Sequence, residues 1–96
     1  MRVEYAKRAV SDLHDIATYY AHSDLPGVAT KVAIRIQDAV ERIAGRPESG
    51  RQVRERPGVR VVSPLPYRYN IFYLYQPAAE TVRILHIRHT SRQTWG

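Results

Sequence analysis

The clearest pattern in the chain is the alternation of side chains from Leu65 to Tyr75, which reads LPYRYNIFYLY. Successive side chains of a β-strand point to opposite faces of the sheet, so this alternation predicts a strand. Both sets of alternate positions are largely apolar or aromatic, which favours a central strand covered on both faces. Prolines flank the stretch, and proline cannot donate to a sheet ladder. Arg68 is the one charged residue inside the predicted strand.

Two amphipathic helices are predicted before this strand. In the first helix, from about Lys7 to His22, apolar positions recur at intervals of three and four residues, and Ile16 widens the predicted buried stripe. The second helix is predicted to begin after an N-cap at Ser23 or Asp24 and shows similar intervals. Glycine is common just after the end of a helix, so the second helix is predicted to end before Gly45. The short polar turn between the two helices predicts an antiparallel helical hairpin. The apolar positions are Val10, Leu13, Ala17 and Tyr20 in the first helix, and Val28, Val32, Ile36, Val40 and Ile43 in the second.

Three further strands complete the predicted order β-α-α-β-β-β. They are Arg2–Tyr5, Val59–Ser63 and Thr81–His89, and residues 46–58 are predicted to form a loop. We therefore predict the α+β class, with the helical hairpin packed on a small antiparallel sheet. In the last strand the alternation places Val82, Ile84 and His86 on one face, and Leu85, Ile87 and His89 on the other.

Composition narrows the class of protein. With 96 residues, of which 44% are hydrophobic, we expect one globular domain over residues 1–96. The sequence has no cysteine, so it offers no disulfide and no thiolate metal site. It has no apolar run long enough to span a membrane and does not open on a signal peptide. We expect a cytoplasmic protein without a metal or other cofactor.

The positive charge is confined to one half of the chain. Residues 1–45 carry six basic and six acidic side chains, whereas residues 46–96 carry nine arginines and three glutamates, which accounts for the net charge of +6. The planar guanidinium suits bidentate binding of phosphate or carboxylate. The positive charge of residues 46–96, which hold most of the predicted strands, therefore favours a polyanionic or acidic partner, either nucleic acid or an acidic protein.

Several stretches, taken in order, resemble the RelE/ParE superfamily of toxins from type II toxin–antitoxin systems. PYRYNIFYLY and VRILHIRHTSR resemble the paired C-terminal strands of that superfamily, and AVSDLHDIATYY and RPESGRQVRE resemble its upstream elements. The resemblance covers essentially the whole chain and is slightly stronger for the ParE branch. It implies a toxin held inactive in a hetero-oligomer with a small antitoxin that has an acidic C-terminal segment. ParE-like members inhibit DNA gyrase, and RelE-like members cleave mRNA on the ribosome without a metal ion.

The resemblance to the nuclease branch implies a candidate catalytic set. RNA cleavage through the 2′-hydroxyl needs a base, an acid and fixed cations for the phosphorane charge. Arg68, His89 and Arg92 fall on or near the corresponding positions, although Arg68 is as easily explained by an ion pair with a carboxylate. Nucleases of the superfamily often end on a catalytic tyrosine, where this chain has Trp95, whose indole cannot transfer a proton. This departure favours gyrase inhibition.

For a gyrase inhibitor we predict that target-binding residues lie in the basic half, namely Arg60, Arg83, Arg88 and Trp95. Arg51, Arg54 and Arg56 are most simply a solvated basic stretch, and the alternative is a loop that contacts nucleic acid or an acidic antitoxin. His86 and His89 have opposite parity on a strand, so we do not expect them to share a metal ion. A nucleic-acid-binding module without toxicity is a third hypothesis, supported by the basic half alone.

Overall fold

The computed structural model describes residues 1–25, 27–64 and 68–90, which form two α-helices, five strands and one short 3-10 helix, Pro77–Ala79, between the last two strands. The predicted α+β class and element order are confirmed, with one short strand added inside the predicted loop. No described helix is long and apolar enough to cross a membrane. The strands are β1 (Arg2–Tyr5), β2 (Arg51–Gln52), β3 (Val59–Val62), β4 (Tyr69–Gln76) and β5 (Thr81–His89), and the helices are α1 (Lys7–Ala21) and α2 (Val28–Gly45).

The five strands form one sheet in the order β1-β5-β4-β3-β2, with β4 at its centre. The neighbours β2 to β5 pair antiparallel, whereas β1 runs parallel to β5, with Arg2 opposite Thr81. The sheet is therefore mixed, although its strands were predicted to be antiparallel. No hairpin links β1 to β5, since both helices and three strands lie between them in the chain, so no turn fixes their relative direction.

The main core lies between the helices and one face of the sheet. The predicted stripe of α2 is confirmed, because Val32 and Ile36 are 1% and 4% exposed and Val28 is half-buried. This stripe packs with the alternate residues Tyr69, Ile71 and Tyr73 of β4 and with Val82, Ile84 and Ile87 of β5. We call this side of the sheet the helix face.

The buried stripe of α1 differs from the prediction. Val10 and Ala17 are exposed, whereas Ala9 is fully buried and packs with the half-buried Leu13, Ile16 and Tyr20. The prediction followed the spacing from Val10 to Leu13, and it did not include Ala9, which lies four residues before Leu13. In the structure Ala9 and Asp12 face the sheet instead, and the carboxylate of Asp12 accepts a hydrogen bond from the backbone N–H of Ile87 at 2.9 Å.

The ends of α2 also differ from the prediction. Its N-cap is Gly27, with a φ of 79° and no side-chain cap, rather than Ser23 or Asp24. The hydroxyl of Ser23 instead accepts a hydrogen bond from the backbone N–H of Leu25 at 3.2 Å, which is the local turn that serine favours. At the other end, Gly45 is the last helical residue rather than the residue after the helix.

The central strand begins later than predicted. Residues 65–67 of the predicted strand lie outside the described residues, and β4 runs from Tyr69 to Gln76. Arg68 is an exposed turn residue before the strand, not a residue inside it. Its carbonyl accepts the backbone N–H of Thr90 at 2.8 Å, just beyond the end of β5, so the ladder between the two strands finishes here.

A β-bulge in β5 changes which of its side chains share a face. Tyr73 pairs with Ile84 and Phe72 with His86, so Leu85 is an extra residue on β5. Strict alternation placed Ile84 and Ile87 on opposite faces, but with the bulge both pack in the helix-face core. A bulge shifts the parity of every later residue, which is why the predicted grouping is wrong after Ile84.

Candidate functional site

The side of the sheet opposite the helices has a small apolar cluster of its own. Val59, Val61 and Phe72 are buried there, and Val53 and Leu85 pack against them. Leu74 shares this side, because it pairs with Val59 in the register of β3 and β4. No described helix packs on these residues. We call this side of the sheet the open face.

Arginines surround the apolar cluster of the open face. Arg51 pairs with Val61, Arg83 with Leu74 and Arg88 with Asn70, and paired residues on neighbouring strands share a face. Arg83 lies 3.9 Å from Glu4 in an exposed ion pair. The register therefore places Arg83 and Arg88, two of the four predicted target-binding residues, on the open face, and Arg88 also lines a groove beside α1.

A groove of about 410 Å³ opens on this face, at the β2 side. Exposed side chains of Arg51, Arg54 and Glu55 line its mouth, and Val61 and Phe72 line its base. Its polar lining also includes Asn70, which is 8% exposed and accepts a hydrogen bond from the Ser63 hydroxyl through its side-chain oxygen. The groove thus combines cationic groups, an amide and an apolar base.

Arg60, the third predicted target-binding residue, points away from the open face. It pairs with Tyr73 on the helix face, and its Nη1 donates to the backbone carbonyls of Glu48 at 3.1 Å and Gly50 at 2.8 Å. The Tyr73 hydroxyl donates to the carbonyl of Pro47 at 2.8 Å and accepts the N–H of Gly50 at 2.9 Å. The side chains of Arg60 and Tyr73 therefore fix residues 47–50, just before β2, through hydrogen bonds to their backbone.

The predicted nuclease residues Arg68 and His89 lie at the same end of the sheet. Arg68 precedes β4 and His89 ends β5, opposite Tyr69. The rings of Tyr69 and His89 meet edge to face, with centroids 5.5 Å apart. Arg92 and Trp95 lie outside the described residues. The structure thus brings two of the three predicted catalytic side chains to one end of the strand pair.

A second groove, of about 450 Å³, runs between α1 and the end of β5. Its lining includes Asp12, whose carboxylate lies 3.5 Å from Nε of Arg8 and 3.7 Å from Nδ1 of His86. Burial lowers the pKa of His86; the Asp12 carboxylate opposes this shift, and Arg8 and Arg88 add to it. We infer a neutral imidazole at neutral pH.

Tyr69 lines the same groove and is a hydrogen-bond donor there. Its hydroxyl donates to that of Tyr20 at 3.4 Å, and burial, with a further contribution from Tyr20, raises the pKa of Tyr69 well above its usual value. A phenol that stays protonated cannot act as a general base. The described residues contain no group of three or more His, Cys, Asp or Glu that could hold a metal ion.

Asn70 was not predicted as a site residue, and Arg51 and Arg54 were predicted to lie in a loop that is solvated or contacts an anionic partner. The two-residue strand β2 was missed because so short a strand leaves no periodic pattern. A signal for Asn70 was present, since it shares the parity of Phe72 and Leu74 in the central strand. A polar residue among apolar ones on a buried strand indicates a local polar partner, which here is Ser63.

Comparisons with known proteins agree on one family. The model of the ParE toxin of the type II toxin–antitoxin system parDE matches residues 3–94. No curated protein sequence matches the chain. Among solved structures, the chromosomal ParDE toxin–antitoxin system from P. aeruginosa is similar, at 23% identity and a TM-score of 0.77 over 93% of this chain and 95% of that chain.

Two RelE structures from E. coli share the fold at lower identity. The intact RelBE toxin–antitoxin complex is 12% identical, with a TM-score of 0.67 over 92% of this chain and 94% of that chain. The isolated RelE toxin is also 12% identical, with a TM-score of 0.66 over 92% of this chain and 82% of that chain.

Proposed function

The chain belongs to the family of ParE toxins of type II toxin–antitoxin systems, and we propose that it arrests growth by inhibiting DNA gyrase when no antitoxin neutralises it. The family match over residues 3–94 carries this proposal. Because gyrase acts on DNA in the cytoplasm, we propose the same location for this protein. The matched family is one of toxins, which argues against a non-toxic nucleic-acid-binding module.

The distribution of charge supports inhibition by binding. Arginines lie around the buried apolar cluster of the open face, and arginine is enriched at protein–protein interfaces. These features favour a surface that holds another protein.

Cleavage of mRNA on the ribosome is the second candidate function. The observation in its favour is that Arg68 and His89 lie at the same end of the β4–β5 pair. An arginine can stabilise phosphorane charge, and a histidine can transfer a proton near neutral pH. This arrangement supplies two of the three groups that metal-free cleavage needs.

The neutralising partner is an antitoxin, as in the ParDE and RelBE complexes that share the fold. We propose a small antitoxin whose acidic C-terminal segment binds this basic toxin. An interface with an apolar centre should keep the complex intact at raised salt, while charge mainly speeds association. Co-expression with the neighbouring reading frame, followed by a pull-down in 0.5 M salt, tests this partner; recovery of a soluble, harmless toxin alone would contradict it.

Induction in cells separates the two toxin mechanisms. A gyrase inhibitor should cause the DNA damage response and filamentation, and primer extension on a reporter mRNA should show no new ends. A nuclease should produce codon-phased ends that vanish in Arg68→Ala or His89→Ala, because loss of one such group costs about 100- to 1000-fold in rate. Codon-phased ends that depend on His89 would refute gyrase inhibition as the primary activity.

A further inference from the structure

The two edges of the sheet differ in the length of strand that they present. β2 forms one edge and has two residues, whereas β1 forms the other and has four. An edge strand presents unpaired N–H and C=O groups that can pair with a further strand. We propose that β1 pairs antiparallel with β1 of a second copy of this chain, which joins two five-stranded sheets into one. This pairing does not depend on which target the toxin inhibits.

The hydrogen bonds of β1 determine which of its backbone groups point outward. The N–H groups of Arg2 and Ala6 each donate at 2.9 Å to a carbonyl of residues 80–84, so alternate residues from Arg2 onward face β5. Val3 and Tyr5 lie between these positions, and their N–H and C=O groups therefore point away from β5. No described strand lies on that outer side, so these groups are available to a partner strand.

One register of the pair matches β1 with itself. When Val3 lies opposite Val3 of the second copy, the two residues exchange their outward N–H and C=O groups, and Tyr5 lies opposite Met1. Arg2 then lies opposite Glu4 of the second copy, at a position without backbone hydrogen bonds, where paired side chains come closest. The twofold axis repeats each contact, so every residue of this edge meets a partner of matching character.

The side chains of the edge suit this register. Met1 and Tyr5 are large apolar residues that are 54% and 41% exposed, and the register brings them together. The side chains of Arg2 and Glu4 are 69% and 40% exposed, and within one copy they form only a long ion pair of 3.8 Å. Opposite charges on paired strands stabilise the pair, and like charges destabilise it. A second copy therefore matches β1 in hydrogen bonding, polarity and charge.

The remaining edges of the described sheet are already protected. β1 ends opposite Ile84, and beyond this point the Asp12 carboxylate of α1 accepts the N–H of Ile87 in β5 at 2.9 Å. At the opposite edge β2 offers only two residues, and native sheets use very short edge strands and charged side chains to prevent pairing. β1 is therefore the edge at which the described fold leaves a ladder open.

A strand from an acidic antitoxin fits this edge less well than a second copy. A uniformly acidic strand would meet Glu4 as well as Arg2, and the like charges at Glu4 would weaken the pair. The pairing keeps equivalent faces together, so the helices of both copies lie on one side of the joined sheet and both open faces on the other. Residues 1–5 of two copies make a contact smaller than the roughly 1,200 Å² of a standard stable interface, so we expect a weak dimer.

Charge reversal tests the pairing by analytical ultracentrifugation of the toxin released from its antitoxin. The wild type should form a dimer as its concentration rises. Arg2→Glu and Glu4→Arg each place like charges opposite one another, so each variant alone should dimerise about tenfold more weakly. An equimolar mixture of the two variants restores opposite charges at both positions and should recover the dimer. Arg35→Glu and Glu41→Arg change the same charges at exposed positions of α2 and should dimerise like the wild type.

The mixture separates loss of pairing from damage to the fold, because a misfolded variant would not be rescued by another variant. Antitoxin affinity, measured by calorimetry at concentrations where the toxin is monomeric, should be the same in both β1 variants and the wild type. A wild type that stays monomeric at all concentrations would overturn the proposal, and so would a mixture that stays monomeric or a dimer that neither reversal weakens. A loss of antitoxin affinity in the β1 variants would assign this edge to the antitoxin and overturn it as well.

Discussion

Replacing Tyr73 with phenylalanine removes a hydroxyl that ties the central strand to the segment before β2. Tyr73 is fully buried, and its hydroxyl donates to the carbonyl of Pro47 and accepts the N–H of Gly50. Phenylalanine fills nearly the same volume, so the variant loses the two hydrogen bonds without opening a large cavity. Gly50 is itself buried, so its N–H would be left without a partner away from water.

The expected cost follows from this geometry. A buried polar group left without its hydrogen-bond partner costs about 1–3 kcal/mol, and we expect Tyr73→Phe to lower the free energy of unfolding by that amount. In a domain of this size each kcal/mol shifts the Tm by roughly 4–8 °C. Urea unfolding followed by circular dichroism gives the free energy directly, and a thermal scan gives the Tm.

Tyr75→Phe is the matched control on the same strand. Tyr75 is half-buried, and its hydroxyl makes no hydrogen bond to any described residue. This variant should therefore change stability by less than about 0.5 kcal/mol. The reasoning would be refuted if Tyr73→Phe were as stable as Tyr75→Phe. Gly50→Ala offers a second test, because an added Cβ would lie 2.5 Å from the Tyr73 hydroxyl oxygen and should destabilise the protein as well.

Three further results are expected. Ile36→Ala should lower the free energy of unfolding in urea by about 2–4 kcal/mol. Ile34→Ala, at an exposed position of the same helix, should lower it by less than about 0.5 kcal/mol. Similar losses in the two variants would mean that the buried face is misassigned. Because burial lowers the folded-state pKa of His86 below its usual 6.5, the unfolded chain binds this proton more readily. Stability should therefore fall as the pH drops below about 6.5, and urea titrations of His86→Gln should show less of that fall. The antitoxin complex should associate more slowly in 0.5 M salt while dissociating at a similar rate, which stopped-flow fluorescence can measure.

The elements that the sequence predicted well are those with long, regular periodicity. Helix α2 carries apolar residues over four turns, so Val32 and Ile36 could be assigned to the core with no knowledge of its neighbours. In α1 a buried stripe could run through Ala9 or through Val10. The structure buries Ala9, on the side of the helix where the Asp12 carboxylate accepts a hydrogen bond from the backbone N–H of Ile87 in β5. Intervals of three and four residues fit either position, and the predicted stripe through Val10 was wrong at that residue.

The features that the sequence could not predict depend on contacts between distant segments. The bulge at Leu85 follows from the register between β4 and β5, which no local pattern encodes. Arg60 was predicted to bind a target, and only the folded chain reveals the carbonyls of Glu48 and Gly50 that its guanidinium meets. The groove of the open face arises in the same way, because β2 brings Arg51 next to Val61 through pairing alone.

Inhibition of purified gyrase by the purified toxin is the most direct test of the central claim. Relaxed plasmid, gyrase and ATP are incubated with increasing toxin, with and without an equimolar amount of its antitoxin, and the topoisomers are resolved on a gel. Toxin alone should block supercoiling, and the antitoxin should restore it. Full supercoiling at a large excess of toxin, together with codon-phased cleavage of mRNA in a translating extract, would contradict it.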